Sequence, residues 1–446
     1  MARAMPTRRV LVLDAHTTQA LACVRSLARA GYVVFGASSR RWALASWSRY
    51  CREQFHLASE SVAEFAALRD WAVAQGISVV LPVTERSCVL CNTERGAWEA
   101  VGITVGCETG DALLSTFDKA RTLALAAECG VAIPPTHAPT SLEECRAVAR
   151  EIGFPCVIKS RFSHYWTGSG FVEGGGTSYV RDERDLDRIC QAHRQGDVWP
   201  LVQGFVEGTG KGLFTVCDRG RPLMWFAHER LRDVRPSGSG SSLRRSTPVD
   251  PRMLMPAEKL LQSMRWHGPA MVEFRDTGHG APCLMEVNGR FWGSLELAVR
   301  AGADFPRLWT DLLCGELQTT PAPPPRTGVT VRWLWGDVKR LLYIAAGAPR
   351  GYPGSYPTRL HGIAELLGQQ PAGTQLECWR ADDRWPAVGE WIQGIGELAA
   401  ETVRSVRARR RRLSAARAGT RAQVESLGPS PTLAAGVRPK SVARGM

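Results

Sequence analysis

Two acidic, mostly apolar segments constrain the fold of this 446-residue chain more than any other feature. Glu273 lies in Ala270–Arg275 and Glu286 lies in Cys283–Asn288, each flanked by apolar side chains. Such runs are typical of buried strands, and the Gly-containing segment 276–281 between them is typical of a hairpin turn. Pairing across that turn would bring the two carboxylates close together.

The residues that follow Glu286 turn this acidic pair into a candidate metal site. Because side chains alternate between the two faces of a strand, Glu286, Asn288 and Arg290 should project from the same face. Two carboxylates and an amide oxygen are hard ligands that suit Mg²⁺ (or Mn²⁺), with phosphate oxygens and water completing the shell. The pattern therefore predicts Glu273, Glu286 and Asn288 as metal ligands, with Arg290 beside them. For Glu273 alone, a simple ion pair is the competing interpretation.

Several upstream segments occur in an order that carries a family resemblance. A helix begins at Asp118-Lys119, a buried strand leads to Lys159, a Gly-rich stretch covers residues 167–177, and a further strand covers residues 201–208. Together with the acidic hairpin, they make residues 113–315 resemble the ATP-grasp superfamily of carboxylate–amine (or thiol) ligases. Each motif is common by itself, so the resemblance depends on their order and spacing.

The resemblance implies ATP and Mg²⁺ as cofactors and assigns residues to each. Lys119 and Lys159 would meet the α- and β-phosphates as positive point charges. Arg290 would be catalytic, stabilising an acyl phosphate or the oxyanion that forms when an amine attacks it. Many members carry an acid for ribose where this chain has Lys211, so ribose contacts stay open. The segment that would contact the nucleotide base contains Gln203, Phe205, Val206 and Glu207.

Strand and helix patterns alternate near the N-terminus, at residues 8–13, 17–30, 32–37, 62–75 and 77–82. This alternation is typical of a parallel sheet covered by helices. The predicted fold class is α/β and α+β: an N-terminal Rossmann-like parallel-sheet domain, a two-lobed ATP-grasp domain and a small C-terminal region. The predicted boundaries are 1–112 for the pre-ATP-grasp domain, 113–318 for the ATP-grasp domain (lid about 130–203), 319–400 for the C-terminal region and 401–446 for a basic, partly disordered tail.

A basic strand that begins near His228 runs into a Ser/Gly loop and offers candidate substrate contacts. In the superfamily the matching loop lies over the reacting carboxylate, which points to Arg235, Ser241 and Ser242. An ordinary surface loop is an equally good interpretation. Further along, five tryptophans are expected to pack the small C-terminal region on the ATP-grasp domain: Trp333, Trp335, Trp379, Trp385 and Trp391.

Charge, apolar runs and cysteine content limit which partners and which cellular compartment are expected. Of the net charge of +13, residues 401–446 contribute +9, with eleven Lys and Arg against two acids. A solvated tail is the favoured interpretation, and contact with nucleic acid, an anionic surface or an acidic partner is the alternative. The sequence contains no run of eighteen apolar residues, so no membrane span is predicted. The thirteen cysteines, without a recognisable signal peptide, predict reduced thiols and a cytoplasmic location.

These observations predict a Mg²⁺- and ATP-dependent ligase that activates a substrate carboxylate as an acyl phosphate and transfers it to an amine. Its partners would be a small-molecule carboxylate and an amine, and oligomerisation stays open. The alternatives are a catalytically silent ATP-binding regulatory protein and an ATP-grasp enzyme with a non-amine acceptor. The Glu-x-Asn-x-Arg set occurs once, which argues against a synthetase with two grasp units.

Overall fold

The computed structural model describes residues 8–168, 170–317 and 323–400. The chain forms two compact units, residues 1–393 and 394–446. In the second unit only residues 394–400 are described, and they are helical; the predicted tail lies outside the described residues. No helix among the described residues is long and apolar enough to cross a membrane. The finer domain boundaries given above stay predictions.

The first unit begins with a five-stranded parallel sheet in the order β3-β2-β1-β4-β5, which confirms the predicted Rossmann-like start. The edge strand Cys51–His56 was not predicted because its sequence is largely polar and exposed. A 3₁₀ turn spans Leu44–Trp47. The elements are β1 Arg9–Val12, α1 Thr18–Arg29, β2 Val33–Ser38, β3 Cys51–His56, α2 Val62–Ala74, β4 Val79–Leu81, α3 Glu85–Thr93, α4 Arg95–Ala100 and β5 Thr104–Val105.

A four-stranded antiparallel sheet in the order β10-β7-β11-β6 follows two connecting helices. It has a small hydrophobic core of its own with α7 and α8. A separate two-stranded hairpin, β8–β9, extends from it. The elements are α5 Gly110–Phe117, α6 Lys119–Glu128, β6 Thr136–His137, α7 Leu142–Ile152, β7 Cys156–Lys159, β8 His164–Trp166, β9 Phe171–Glu173, β10 Thr177–Val180, a 3₁₀ turn Glu183–Asp185, α8 Leu186–His193 and β11 Leu201–Gly204.

A seven-stranded sheet in the order β16-β15-β12-β13-β14-β17-β18 forms the largest layer of the molecule. Its pairs are antiparallel except the last, β17–β18. The elements are β12 Thr209–Asp218, β13 Arg221–Arg232, β14 Leu243–Thr247, α9 Pro251–Ser263, β15 Gly268–Asp276, β16 Cys283–Asn288, α10 Leu295–Ala301, α11 Phe305–Leu313, β17 Thr330–Arg332, α12 Leu334–Ala346, α13 Arg359–Leu367 and β18 Gln375–Leu376. Residues 385–400 are helical.

The C-terminal part of the first unit is attached differently from the prediction. Trp335 is buried and Trp391, 39% exposed, packs edge-on against it, but Trp379 and Trp385 are 48% and 61% exposed, so these two do not pack this region down as expected. Instead β17 and β18 extend the large sheet, and the buried Arg25 side chain of α1 pairs with Asp383. The C-terminal part is therefore held by strand pairing and buried charge.

Candidate functional site

The acidic hairpin lies at one edge of the large sheet. β15 and β16 pair with Glu273 directly opposite Glu286 and Met271 opposite Asn288. Since directly opposite residues share one face of a sheet, both carboxylates and the Asn288 amide project to the same side. The hairpin and the pairing predicted from the sequence are confirmed, and a β-bulge follows Glu273.

Arg230, which the sequence did not single out, reaches Glu273 from two strands away. Its guanidinium donates to Glu273 Oε2 at 2.5 Å, and the two side chains are 7% and 15% exposed. The intervening strand β12 carries Gly210 and Gly212 where this crossing occurs. A Cβ at Gly210 would lie 3.1 Å from Arg230 Cδ, and one at Gly212 would meet the Phe214 ring at 2.6 Å. The two glycines therefore leave room for the side chains that line this face.

The Gly210–Gly212 segment also settles where Lys211 points. Strand alternation turns Lys211 to the opposite face from the two glycines. There its Nζ lies 2.7 Å from Asp276 Oδ2. Lys211 thus belongs to an ion pair at the end of β15, away from the face that carries Glu273.

Glu286, Asn288 and Arg290 form a connected polar chain. Asn288 Nδ2 donates to Glu286 Oε1 at 3.0 Å, and Arg290 donates to Asn288 Oδ1 at 3.0 Å. Arg290 also donates to the Phe291 carbonyl at 2.9 Å and to Glu85 Oε1 at 3.4 Å. The three side chains therefore share one face, as the spacing predicted.

Glu85 brings the N-terminal sheet domain to this site. It is the first residue of α3, and its second carboxylate oxygen lies 3.5 Å from His164 Nδ1 on the β8–β9 hairpin. Burial acts to raise the pKa of Glu85, but His164 together with Arg290 and Lys119 lowers it to about 2. The charged Glu85 carboxylate at the start of α3 therefore contacts both His164 on the β8–β9 hairpin and Arg290, which follows β16.

The two predicted phosphate lysines approach the acids from separate elements. Lys119 begins α6, with Asp118 as its N-cap, and its Nζ donates to Ser163 Oγ at 3.1 Å. Lys159 ends β7 of the four-stranded sheet, and burial lowers its pKa to about 8 although Glu286 and Glu273 act in the opposite direction. Both lysines act on Glu286, because they contribute to lowering its pKa. The structure thus brings together Lys119, Lys159, Glu273, Glu286, Asn288 and Arg290.

The charges at the hairpin fit a bound cation with anionic oxygens around it. Burial and the neighbouring Glu286 raise the pKa of Glu273 despite the Arg230 partner. Burial would also raise the pKa of Glu286, but Lys119, Asn288 and Lys159 hold it below its ordinary value. Among the described residues, no group of three or more His, Cys, Asp or Glu side chains could hold a metal alone. Two carboxylates and an amide would need phosphate oxygens to complete a Mg²⁺ shell, which matches the usual mode of Mg²⁺ binding.

The predicted base-contacting segment begins within β11 and continues beyond it, but its side chains differ in availability. Gln203 is buried and its Nε2 donates to Thr136 Oγ1 at 2.7 Å, so that amide nitrogen is already used. Phe205 packs edge-on against Tyr179 and Tyr352, with ring centroids 6.1 and 6.2 Å away. Val206 is half-buried and Glu207 is exposed. The base-contacting roles of these four residues stay predictions.

The predicted substrate loop is more firmly packed than expected. Ser242 is fully buried, and its backbone nitrogen and carbonyl bond to Arg232 and Trp333. Ser241 is 8% exposed. The Arg235 guanidinium lies over the Tyr343 ring of α12, 5.1 Å from its centroid. Ser242 is thus part of the packed body, and the substrate roles of the three residues stay predictions.

Replacing Glu273 with Gln is expected to lower the free energy of unfolding by about 1–2 kcal/mol, because it removes the charged partner of a buried guanidinium. Among the described residues, Arg230 would then keep Asp233, at 3.8 Å, as its ion-pair partner. Urea unfolding of the two proteins measures the difference. Glu183→Gln is the matched control, since its partner Arg150 is 60% exposed and such a pair contributes little. Equal losses in both variants would contradict a special role for Arg230.

Comparison with known proteins gives two partial family matches. A model described as "ATP-grasp in the biosynthetic pathway with Ter operon" matches residues 216–336, and one described as "Carbamoyl-phosphate synthase L chain, ATP binding domain" matches residues 118–194. The carbamoyl phosphate synthase large chain of Pseudomonas syringae pv. tomato is 30% identical over 107 residues, which is 24% of this chain and 9% of that protein. The formate-dependent phosphoribosylglycinamide formyltransferase of Stutzerimonas stutzeri is 31% identical over 86 residues, 18% of this chain and 20% of that protein. The matches thus span a fifth or less of these relatives.

Solved structures match over a larger part of the chain. N5-carboxyaminoimidazole synthetase from Staphylococcus aureus has a TM-score of 0.57 at 13% identity, covering 72% of this chain and 80% of that one. Biotin carboxylase from Campylobacter jejuni has a TM-score of 0.58 at 16% identity, covering 73% and 75%. The biotin carboxylase domain of Hydrogenobacter thermophilus 2-oxoglutarate carboxylase gives 0.56 at 17% identity, covering 72% and 73%. From the parallel sheet, the four-stranded antiparallel sheet, the acidic hairpin and these matches together, the chain has the fold of the ATP-grasp superfamily.

Proposed function

We propose that this protein is an ATP- and Mg²⁺-dependent ligase that activates a substrate carboxylate as an acyl phosphate and transfers the acyl group to an amine. The observation that carries the proposal is the opposed pair Glu273 and Glu286, with Asn288 beside them and buried cations around them. Two buried carboxylates held opposite each other repel, which favours additional positive charge beside them. Fixed positive side chains at the same place suit a phosphorylated ligand.

Glu273, Glu286 and Asn288 would hold the metal, which supplies charge neutralisation on the phosphate oxygens when bound. Glu273 would have to share its carboxylate between the metal and Arg230, whose guanidinium is already 2.5 Å away. Glu286 is held in its charged form by Lys119 and Lys159. The residues therefore fit a metal that arrives with its nucleotide, since the phosphates would supply the ligands that the protein lacks.

The lysines and Arg290 have separate tasks in this proposal. Lys119 and Lys159 bind the phosphates of the departing ADP while a substrate carboxylate oxygen attacks the γ-phosphorus and the bond to ADP breaks. Arg290 then faces the acyl phosphate. An amine nitrogen attacks its carbonyl carbon, inorganic phosphate departs, and the guanidinium stabilises the negative oxygen formed in between. Glu85 orients Arg290 through their 3.4 Å contact.

The β8–β9 hairpin is suited to exclude water from such an intermediate. His164 lies between Glu85 and Glu173, and Arg86 of α3 pairs with Glu173 at 2.7 Å. The guanidinium of Arg86 also lies over the Phe171 ring, 4.8 Å from its centroid. These contacts fasten the hairpin over the end of α3 that carries Glu85, so that bulk water is kept from a labile acyl phosphate.

Similar structures and relatives support the reaction class more than the substrates. One similar structure is a biotin carboxylase domain with MgADP, ADP and bicarbonate bound, and another is a biotin carboxylase bound to an ATP analogue. The relatives that match in sequence include carbamoyl phosphate synthases. These proteins support a nucleotide-dependent ligase, whereas the acid and the amine of this protein are left to experiment.

A coupled ADP-release assay is the test, with the full chain, Mg²⁺-ATP and pairs of carboxylic acids and amines. We expect ADP release that requires the acid, rises with the correct amine and yields one new amide and one phosphate per ADP. Hydroxylamine should trap the acyl phosphate as a hydroxamate when the amine is omitted. If the protein binds ATP but releases no ADP with any pair of acid and amine, it would instead be a nucleotide-binding regulator. Hydroxamate without any amine-dependent product would favour a non-amine acceptor.

A further inference from the structure

His228 on β13 is a buried histidine whose ring makes no hydrogen bond to any described residue. The residue is 2% exposed, and both Nδ1 and Nε2 lack a partner within the described part of the chain. A buried polar atom without a partner is costly, so each such atom in a native protein needs an explanation. His193 at the end of α8 shows the usual arrangement, since its Nδ1 and Nε2 lie 3.0 and 2.9 Å from the hydroxyls of Ser160 and Ser178. His228 is therefore a candidate ligand-binding group.

The position of His228 relates it directly to the two opposed carboxylates. His228 pairs with Gly212, Gly212 pairs with Glu273, and Glu273 pairs with Glu286. Directly opposite residues share one face of a sheet, so these four positions form a row across four strands. A Cβ at Gly212 would lie 3.1 Å from His228 Nε2, so this nitrogen lies over β12, the strand between His228 and Glu273. Neighbouring strands are about 4.8 Å apart, which separates the His228 and Glu273 positions by about 10 Å.

Arg244 is a second buried side chain on this face with an unused donor. It pairs with Arg230 across β13 and β14, so both project from the face that carries the histidine. Its Nη1 donates to the Ser241 carbonyl at 2.8 Å, its Nη2 donates to the Gly293 carbonyl at 3.4 Å, and Glu377 is its ion-pair partner. Its Nε is buried and has no hydrogen-bond partner among the residues that the structure describes. The guanidinium is thus held in place with one N–H left over.

The charges that act on the His228 ring favour an anion next to it. Burial lowers the pKa of His228 well below its ordinary value, and Arg230 and Arg244 lower it further. The ring is therefore neutral at pH 7, with one N–H donor and one acceptor nitrogen. Because both of the neighbouring side chains are cations, a substrate ammonium would be repelled there and a carboxylate would be attracted. In the proposed site Glu273 also shares its charge with the metal, which leaves Arg230 less neutralised.

Aromatic side chains surround the histidine. The Phe214 ring lies 4.6 Å from the His228 ring and 4.6 Å from the Trp292 ring, measured between centroids. Trp292 is buried and comes two residues after Arg290, so the segment that carries the proposed catalytic arginine continues into these rings. We call His228, Arg244, Phe214 and Trp292 the His228 cluster. In such apolar surroundings a hydrogen bond to a carboxylate is stronger than it is in water.

We propose that the His228 cluster binds a second carboxylate of the acid substrate, which makes a dicarboxylic acid the substrate class of the ligase. The proposal rests on the proposed function, because it assumes that the other carboxylate reacts beside Glu273 and Glu286. The Arg244 Nε–H and the N–H of His228 donate to the second carboxylate. One carboxyl group cannot reach both places, since two strand spacings of about 10 Å separate the His228 and Glu273 positions.

Calorimetric titration of the full-length protein tests binding apart from turnover. The ligands are succinate, glutarate, adipate and pimelate, each compared with the monocarboxylate of equal chain length, from butyrate to heptanoate. All titrations contain Mg²⁺ and ADP. We expect one dicarboxylate to bind about tenfold or more tightly than its monocarboxylate, because only the dicarboxylate provides a charged acceptor for the His228 cluster.

His228→Phe distinguishes ligand binding from packing. Phenylalanine fills a similar space without either unpaired nitrogen, so the melting temperature should stay the same or rise. The preference for the dicarboxylate should nevertheless fall about tenfold or more, because a donor to its charged group is lost. His193→Phe is the matched control. It removes a buried histidine that is bonded to Ser160 and Ser178, so it should lower the melting temperature and leave the dicarboxylate preference unchanged.

Three results would overturn the proposal: no dicarboxylate binds better than its monocarboxylate, His228→Phe keeps the preference, or His228→Phe is destabilised as His193→Phe is. Failure of the ligase reaction gives a different result. ADP release that requires a monocarboxylate, and that dicarboxylates do not support, would contradict the role of the His228 cluster and leave the ligase intact. Dicarboxylate binding that His228→Phe abolishes, in a protein that never releases ADP, would support the binding site and contradict the ligase.

Discussion

Glu286→Gln is expected to reduce the rate of ADP release more than a hundredfold while the protein stays folded. The change removes one of the two carboxylates of the proposed metal site, and a metal ion supplies several kcal/mol of transition-state stabilisation in such reactions. A loss of about 3 kcal/mol corresponds to slightly more than a hundredfold in rate. Steady-state kinetics at limiting and saturating Mg²⁺ measure the effect, and a higher Mg²⁺ requirement should accompany it.

Nucleotide binding should respond differently from catalysis in this variant. Lys119 and Lys159 both lie near Glu286 and act on its pKa. Neutralising Glu286 leaves these lysines free to attract phosphates, so affinity for ATP without metal should hold or rise. Glu229→Gln is the control, because Glu229 pairs with Arg245 on the opposite face of the same sheet. A wild-type rate for Glu286→Gln at limiting Mg²⁺ would remove Glu286 from the metal site.

The acidic hairpin could be predicted from the sequence because its determinants are local. A short Gly-containing turn joins two apolar runs, and strand alternation then fixes which residues share a face with Glu286. Lys159 was predictable for a similar reason, since a lysine that ends a buried strand stands out. The positions of these residues follow from a few neighbours in the chain, so long-range contacts were not needed to find them.

The contacts that Arg230 and Glu85 make could not be found in this way because their partners are distant in sequence. Arg230 is 43 residues from Glu273 and separated from it by a whole strand, and Glu85 is 205 residues from Arg290. One local signal did exist for Arg230. Two glycines alternate on one face of β12, and glycine inside a strand often marks the close approach of another group.

The tryptophans of the C-terminal region were predicted to pack inward, but the structure leaves Trp385 exposed. Apolar spacing predicts a face that avoids water, but it does not say whether the protein itself or something else covers that face. Trp335 is buried and contacts Trp391 with ring centroids 5.3 Å apart, whereas Trp385 stays exposed on the same helix. The sequence indicated a tryptophan-containing segment, and only the three-dimensional packing could show that Trp385 faces outward.

Asp383→Ala is expected to lower the free energy of unfolding by about 3–5 kcal/mol, because it leaves a fully buried guanidinium without its carboxylate. The Arg25 and Asp383 side chains are 0% and 1% exposed and are joined at 2.8 Å. Asp383 also accepts from the Ser48 hydroxyl and the Arg49 nitrogen. Since these residues connect α1 to the C-terminal part of the first unit, urea unfolding should show the whole unit destabilised.

The neighbouring pair of Arg29 and Asp382 is a suitable control, because it has the same chemistry but lies at the surface. Arg29 is one helical turn beyond Arg25, and it pairs with Asp382 at the same 2.8 Å distance, but these side chains are 30% and 48% exposed. Water solvates both charges after either partner is removed, so Asp382→Ala should cost no more than about 1 kcal/mol. Replacing both buried partners, Arg25→Met with Asp383→Leu, should recover part of the loss, because no charge is then left buried. Similar losses for Asp382→Ala and Asp383→Ala would mean that water reaches the inner pair, and that strand pairing through β17 and β18 holds the C-terminal part in place.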